Sequence, residues 1–432
     1  MNKISNYNVA MWSLSRKGRS PANKKGARRL RQRAMALLVP SLLATVAGAE
    51  ERKVTASIAV KQEYTDNLTY SSVDPQSDWI TTVSPKVEVV NNSDRLQTSL
   101  KAVLDGASYW EHNELNDVDQ DFSGSLRYGF TPRTNLFTSA GYRRDSRSDR
   151  EFSDTGLVFD AVERERYNFA LGGNYSLSEL TALQVQYNHG KDDYHGDRYS
   201  DNQTHGVSGT LSRNLSEYWE NTTGRFSLGA TRYDSDTSQT DYFTGTVGVE
   251  KSLTETIGLY VDGGMRYTES SYDTYEPVYY NFLGHNIFVG YRPITAQETG
   301  IGFTGRTGLT YRDELNEAVL SASHDVQPAN GESGTLERSS LQARLEHRLT
   351  EQSRISLSGG YALNKTADEV AYIDTTDETS WWVQPRISYN FDREWLVEGS
   401  YNYGQIHDNE DDDDRSRNLV MLRLEYRYPI WE

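Results

Sequence analysis

The chain has 432 residues, no cysteine and a formal net charge of −17. Without thiols there is neither a disulfide framework nor a thiolate metal site. A hydrophobic fraction of 36% is lean for a soluble core, yet 29 Tyr, 8 Trp and 33 Gly do not suit a disordered chain. In chain order, the first element is a leader. Residues 1–49 hold ten Lys or Arg and no acid, including KKGARRLRQR at 24–33. The apolar stretch AMALLVPSLLATVAGA (34–49) follows, with Ala47-Gly48-Ala49 as a small-x-small cleavage site. This reads as a signal peptide with a long basic n-region, its true start open, and leaves residues 50–432 as one exported domain. Removing ten basic residues from −17 gives −27 for that domain. No other stretch supplies the run of apolar residues a membrane helix needs.

The remainder alternates with a period of two. Segments such as LQTSLKAVLDG (96–106), FSGSLRYGF (122–130), YNFALGGNY (167–175), TALQVQYN (181–188), IGLYVDGGMRY (257–267), SLQARLEHRL (340–349) and RISLSGGY (354–361) place apolar residues on one face. Between them lie two kinds of spacer in turn. Compact polar turns include NNSD (91–94), TPRT (131–134), SLSE (176–179), NLSE (214–217), RDEL (312–315) and FDRE (391–394). Acidic stretches include DSRSDREFSDTGLVFDAVERE (145–165), DSDTSQTD (234–241), about thirty residues after Tyr267, and HDNEDDDDRSR (407–417). Eight short turns and nine long loops join eighteen strands (16–18). Short turns on one side and long loops on the other predict an all-β, antiparallel up-and-down barrel in the outer membrane, with turns periplasmic and both ends inside. HNIFVGYRPIT (285–295) is read as loop, since a nineteenth strand breaks that alternation.

The faces differ chemically. The outward set is Leu96, Leu100, Leu104, Leu126, Tyr128, Phe130, Phe169, Leu171, Val185, Tyr187, Leu259, Val261, Leu357 and Tyr361, with Leu422, Leu424, Tyr426 and Tyr428 on the closing strand. The opposite parity carries Arg127, Arg143, Arg225, Arg266, Arg306, Arg344, Arg348, Arg354, Arg386, Arg423, Arg427 and Lys101, against fewer acids: Asp105, Glu250, Asp262, Glu346, Glu398 and Glu425. Gln97, Ser99, Gln184, Gln186, Asn188 and Asn402 add neutral hydrogen-bonding groups. A barrel this wide keeps an aqueous passage, and guanidinium forks match carboxylates at two points. The candidate solute contacts are therefore Arg127, Arg266, Arg306, Arg344, Arg386, Arg423 and Arg427. Their other role is structural, as in-wall ion pairs such as Arg344 with Glu346.

Nothing in the sequence assembles a nucleophile with a base. His324 and His347 fall on the outward parity, and His205 lies near Ser208 with no third partner. No catalytic residue, metal site or cofactor is expected. DNEDDDDR (408–415) lacks the glycine and spacing of a calcium loop and reads as solvated. No nucleic-acid partner is expected.

SIAVKQEYTDNLTYSS (57–72), then DWITTVSPKVEVV, DRLQTSLKAVL and a Tyr-Trp before an acidic stretch, resemble the β-barrel porins encoded with exopolysaccharide biosynthesis and export genes in Gram-negative bacteria. The later stretch from TGRTGLTYRDELNEAVLSASHDV to LERSSLQARLEHRLTEQSRISLSGGY is similar to that family's C-terminal half. The resemblance implies an outer-membrane barrel that helps a secreted polysaccharide across, beside a periplasmic synthesis or export complex and after insertion by the barrel-assembly machinery. The end departs from the usual aromatic finish, because Glu432 follows Trp431 and Pro429 interrupts the alternation. Two other readings stand beside it. A diffusion porin predicts a folded-in loop, for which the stretch after Tyr267 is the candidate, and a trimer. An adhesive barrel predicts acidic loops that bind partners over a plugged lumen.

Overall fold

The computed structural model describes residues 51–158, 161–196, 199–282, 285–328, 334–367 and 376–431. The expected leader lies outside these residues. They form eighteen strands: β1 (Glu51–Thr65), β2 (Asp78–Asn92), β3 (Leu96–Tyr109), β4 (Asp117–Thr131), β5 (Thr134–Asp145), β6 (Arg164–Ser176), β7 (Thr181–Tyr194), β8 (Asn202–Asn214), β9 (Thr222–Ser235), β10 (Ser238–Ser252), β11 (Ile257–Phe282), β12 (His285–Arg312), β13 (Asn316–Pro328), β14 (Thr335–Arg348), β15 (Ser353–Thr366), β16 (Asp377–Asn390), β17 (Trp395–Asp408) and β18 (Asp413–Trp431). Each is antiparallel to its sequence neighbours, and β18 pairs back onto β1, so the sheet closes without an edge. Closure satisfies the backbone within the wall, which hydrocarbon demands of any spanning sheet.

The register explains the alternation. Even residues of β1 and β18 face outward, exposing Ile58, Val60, Leu422 and Leu424. Tyr64 meets Trp79, and Trp79 meets Trp110, at the upper rim. Trp395 meets Tyr426 at the lower rim. These aromatic pairs sit where interfacial girdles belong. Pro429 is absorbed at the register shift where β18 meets β1 around Thr55, a position that does not require its missing N–H.

The lower turns are built by side chains capping the backbone. Asp313 accepts from the amides of Leu315 and Asn316 at 2.8 and 2.6 Å, and Asp392 from those of Glu394 and Trp395 at 2.8 Å each. On the upper side, several stretches read as loops are strand. HNIFVGYRPIT belongs to β12, paired with the upper part of β11. DSDTSQTD contributes to β9 and β10, with only residues 236–237 between them. The physical reason is that polar strands persist above the membrane when each backbone group still finds a partner. β11 and β12 extend farthest, beyond the pairings of β10 at Tyr272 and of β13 at Gly305.

One glycine is required by close approach. A Cβ on Gly264 of β11 would lie 2.0 Å from the Gly245 carbonyl oxygen and 2.7 Å from the Thr246 Cα, both backbone atoms of β10. Overpacking that forces backbone to move costs about 1–3 kcal/mol or more. Gly264→Ala is therefore expected to lower the temperature at which the folded band is lost on a heat-modifiable gel, whereas Gly209→Ala, whose Cβ has one neighbour at 4.0 Å, leaves it unchanged.

Candidate functional site

Strand parity sets the site. All seven candidate arginines lie on the inner face, but the structure divides them into two levels. In the lower half, three carboxylates are each shared by two arginines. Arg225 and Arg306 both hold Asp262, at 3.0 and 2.9 Å. Arg344 and Arg354 both approach Glu346, at 3.0 and 3.6 Å. Arg423 and Arg427 both hold Glu425, at 2.8 and 3.1 Å. Arg386 reaches Glu398 at 3.7 Å, and Arg225 also holds Glu250 at 2.7 Å. Arg127 has no ion pair among the described residues. The carboxylates Asp262, Glu398 and Glu425 lie flat against the wall, while the side chains of Arg306 and Arg344 remain 64% and 61% exposed. The open water of the lower lumen therefore meets the guanidinium edges of Arg306 and Arg344, with Glu250 the exposed acid beside Arg225. Arg266 is the exception, sealed at the upper level with Glu337 at 2.9 Å.

The upper lumen is crossed by the connection between β5 and β6. Residues 146–158 start on one wall and reach the strands half-way round the ring. Ser148 donates to the Leu68 carbonyl at 2.9 Å. Arg147 pairs with Glu63 of β1 at 3.0 Å. Asp149 takes Arg417 of β18 at 2.7 Å. Phe152, on a single helical turn (Phe152–Thr155), packs with Tyr70 and Ile406. Gln342 of β14 donates to the Ser153 carbonyl at 3.4 Å, and Asn364 of β15 to that of Thr155 at 2.9 Å. Gly156 ends the turn at φ 74°, against Ser380 and Ala362, where a side chain has no room.

The root of this segment is ionic. Arg164, fully buried, forks onto Asp145 at 3.2 and 3.0 Å and also holds Glu151. Arg166 contacts Glu151 at 2.5 Å and Asp192 at 2.6 Å. Burial disfavours ionisation of Asp149, but the charges of Arg147 and Arg417 prevail and hold its carboxyl well below the usual range. Burial likewise opposes ionisation of Glu151, and Arg166 with Arg164 brings its pKa below the ordinary value. The segment thus stays charged and docked at neutral pH.

A second element leans inward beside it. The upper end of β13 and β14 places Leu336 against Leu157 of the crossing segment. Asp325 of the same hairpin meets the Tyr242 hydroxyl from β10, and the Gly334 amide donates to Ser238 at 2.9 Å. A cavity of 630 Å³ on the opposite wall is lined by Ser123, Ser139, Asn168 and Thr204 together with Ala140, Phe169, Ala170, Arg166 and Lys191.

Sequence reasoning placed the fold-in loop after Tyr267, and the structure corrects this: that stretch is the tall β11–β12 hairpin, and residues 146–158 are the ones that enter the lumen. The signal was Phe152, Leu157 and Val158 inside an otherwise charged stretch, which a solvated loop has no reason to carry. His205 and Ser208 point to opposite faces of β8, so they do not meet.

The chain is similar to several solved structures. OccK2 (OpdF) of Pseudomonas aeruginosa covers 89% of this chain and 99% of its own at 10% identity and TM-score 0.45. OpdO of the same organism gives 89% and 98%, 10% and 0.44, and Acinetobacter baumannii OccAB3 gives 88% and 100%, 11% and 0.43. A comparison with curated proteins gave no match. Residues 53–214, most of the first eight strands, match the family model described as putative beta-barrel porin 2, and the eighteen-stranded closed wall that they begin is of the kind that spans an outer membrane.

Proposed function

We propose that this porin conducts an anionic, hydrated solute, and that its cargo is an acidic polysaccharide leaving the cell. The observation that carries the reading is the two-to-one sharing of Glu346 and of Glu425 by lower-lumen arginines, with Arg306 exposed beside them. The pairs shared at Glu346 and Glu425 leave net positive charge facing water, whereas Glu250 balances the pair at Asp262, and a water-filled passage with low-dielectric walls focuses such a field on mobile anions. Residues 1–49 serve as the export signal, and the lower turns are the surface available to a periplasmic polysaccharide synthesis or export complex. The sequence resemblance to exopolysaccharide-linked porins supports the polymer as cargo.

A second reading is a diffusion porin for small anions. It is favoured by segment 146–158, which narrows the upper lumen and suits a small solute better than a chain.

The test is single-channel recording of the purified barrel in planar bilayers across a KCl gradient, with a galacturonic acid oligomer added, against a dextran oligomer as neutral control. The expected result is an anion-selective reversal potential and a conductance interrupted by the galacturonate oligomer alone. Anion selectivity with indifference to both oligomers would leave only the small-anion reading. Cation selectivity would remove both.

A further inference from the structure

The upper lumen holds its own anions. Segment 146–158 carries Asp149, Glu151 and Asp154 into the passage, and two of them sit on wall arginines. Asp149 rests on Arg417, whose side chain is 6% exposed and whose guanidinium lies 4.5 Å over the Tyr70 ring. Glu151 rests on Arg166. A third arginine at this level has no such occupant. Arg338 of β14 is 5% exposed, and its Nε and Nη1 donate to the neutral oxygens of Asn364 and Gln327 at 2.7 and 2.6 Å. Its Nη2 has no acceptor, and no carboxylate among the described residues lies within ion-pairing distance. A buried cation without a counter-ion is unfavourable wherever it occurs, so an arriving anion gains most there.

We infer that Arg166, Arg338 and Arg417 are binding sites for the anionic groups of the passing molecule, and that Asp149 and Glu151 are tethered occupants that a polyanion displaces. This rests on the anion-conducting reading given above. Exchange conserves ion pairs, because a uronate carboxylate offers the same two oxygens as Asp149 or Glu151. The segment also docks through Ser153, Thr155, Phe152 and Leu157, and its tether gives its carboxylates an effective concentration of about millimolar or above. A single carboxylate in solution competes poorly against that. A chain bearing many competes well, since its second and third contacts are themselves intramolecular. The geometry thus selects a multivalent anion over a monovalent one.

The chain has no cysteine, which makes the segment's movement directly testable. Gln342 already reaches the Ser153 carbonyl, so Ser153→Cys with Gln342→Cys can be joined by a short, reducible bis-thiol cross-linker, the bond verified by mass spectrometry. Proteoliposomes containing the full barrel are loaded with a fluorescent galacturonic acid oligomer, and its release is followed before and after reduction. The expected result is loss of release in the linked state and recovery on reduction. Asp149→Asn with Glu151→Gln should accelerate release of the oligomer, and Arg338→Gln should slow it, with the folded band on the gel retained in each. Equal release from linked and reduced barrels overturns the inference while leaving the anion-conducting reading intact. Release of a dextran oligomer as fast as galacturonate, or of neither, overturns the reading beneath it. Monomeric galacturonate driving the exchange as well as the oligomer would remove the multivalent requirement and the inference with it.

Discussion

Replacing Arg164 with methionine is expected to lower the stability of the barrel by about 3–5 kcal/mol, the range for removing one partner from a buried ionic group. Arg164 is the root of segment 146–158: one edge of its guanidinium forks onto Asp145 of β5, and the remaining nitrogen holds Glu151. Methionine fills a similar volume, so packing is largely kept and the loss is ionic. Asp145 retains Arg143 at 3.1 Å and Arg150 at 3.3 Å, and Glu151 retains Arg166, which places the effect toward the lower end. Arg164→Lys keeps the charge but not the fork, so its loss falls between. The measurement is the urea midpoint of the detergent-solubilised barrel, with limited trypsin cleavage at Arg147 and Arg150 as a local readout. The variant should unfold earlier and be cut in the segment before the wall gives way. An unchanged midpoint with the segment still protected would mean that Asp149, Phe152 and Leu157 hold it without Arg164.

How much of this was legible in the sequence depended on the distance over which each interaction acts. The wall was readable because its rule is local. Leu422 and Leu424 against Arg423 and Glu425 state by alternation alone which side faces lipid, and the register of β18 on β1 agrees. Every arginine assigned to the inner face by parity lies there. The lengths of the upper connections were not readable, because acidic residues such as those of DSDTSQTD favour solvent without specifying loop or strand. A partner strand decides that, and its identity lies in the hairpin register. The crossing segment was the least legible. Asp149 finds Arg417, and Thr155 finds Asn364, at separations of more than two hundred residues. No periodicity encodes such pairs. Only the apolar residues Phe152 and Leu157, placed among charges, hinted that this stretch is covered rather than wet.

Reversing the lower ring should have the largest effect on function. In Arg306→Glu, Arg344→Glu, Arg386→Glu, each substitution swings the lumen by two charges at a side chain that projects into water. The local potential, rather than the wall's packing, takes most of the change. Folding survives at two of the sites because the carboxylates keep a second arginine: Asp262 keeps Arg225, and Glu346 keeps Arg354. Glu398 has Arg386 alone among the described ion pairs, so Arg386→Gln is the safer third member if the triple variant fails to give a folded band. The expected outcome is a reversal potential of opposite sign in a KCl gradient, with the neutral Gln triple in between. Because these side chains are exposed, the effect should shrink as ionic strength rises and the Debye length falls from roughly 10 Å at 0.1 M to 3 Å at 1 M. An unchanged sign at low salt would place selectivity elsewhere, at Arg127, Arg423 and Arg427 or at the upper arginines beneath segment 146–158. The Gln triple separates these cases, since it removes the lower charges without adding repulsion: if the field is the lower ring's, selectivity must already weaken there.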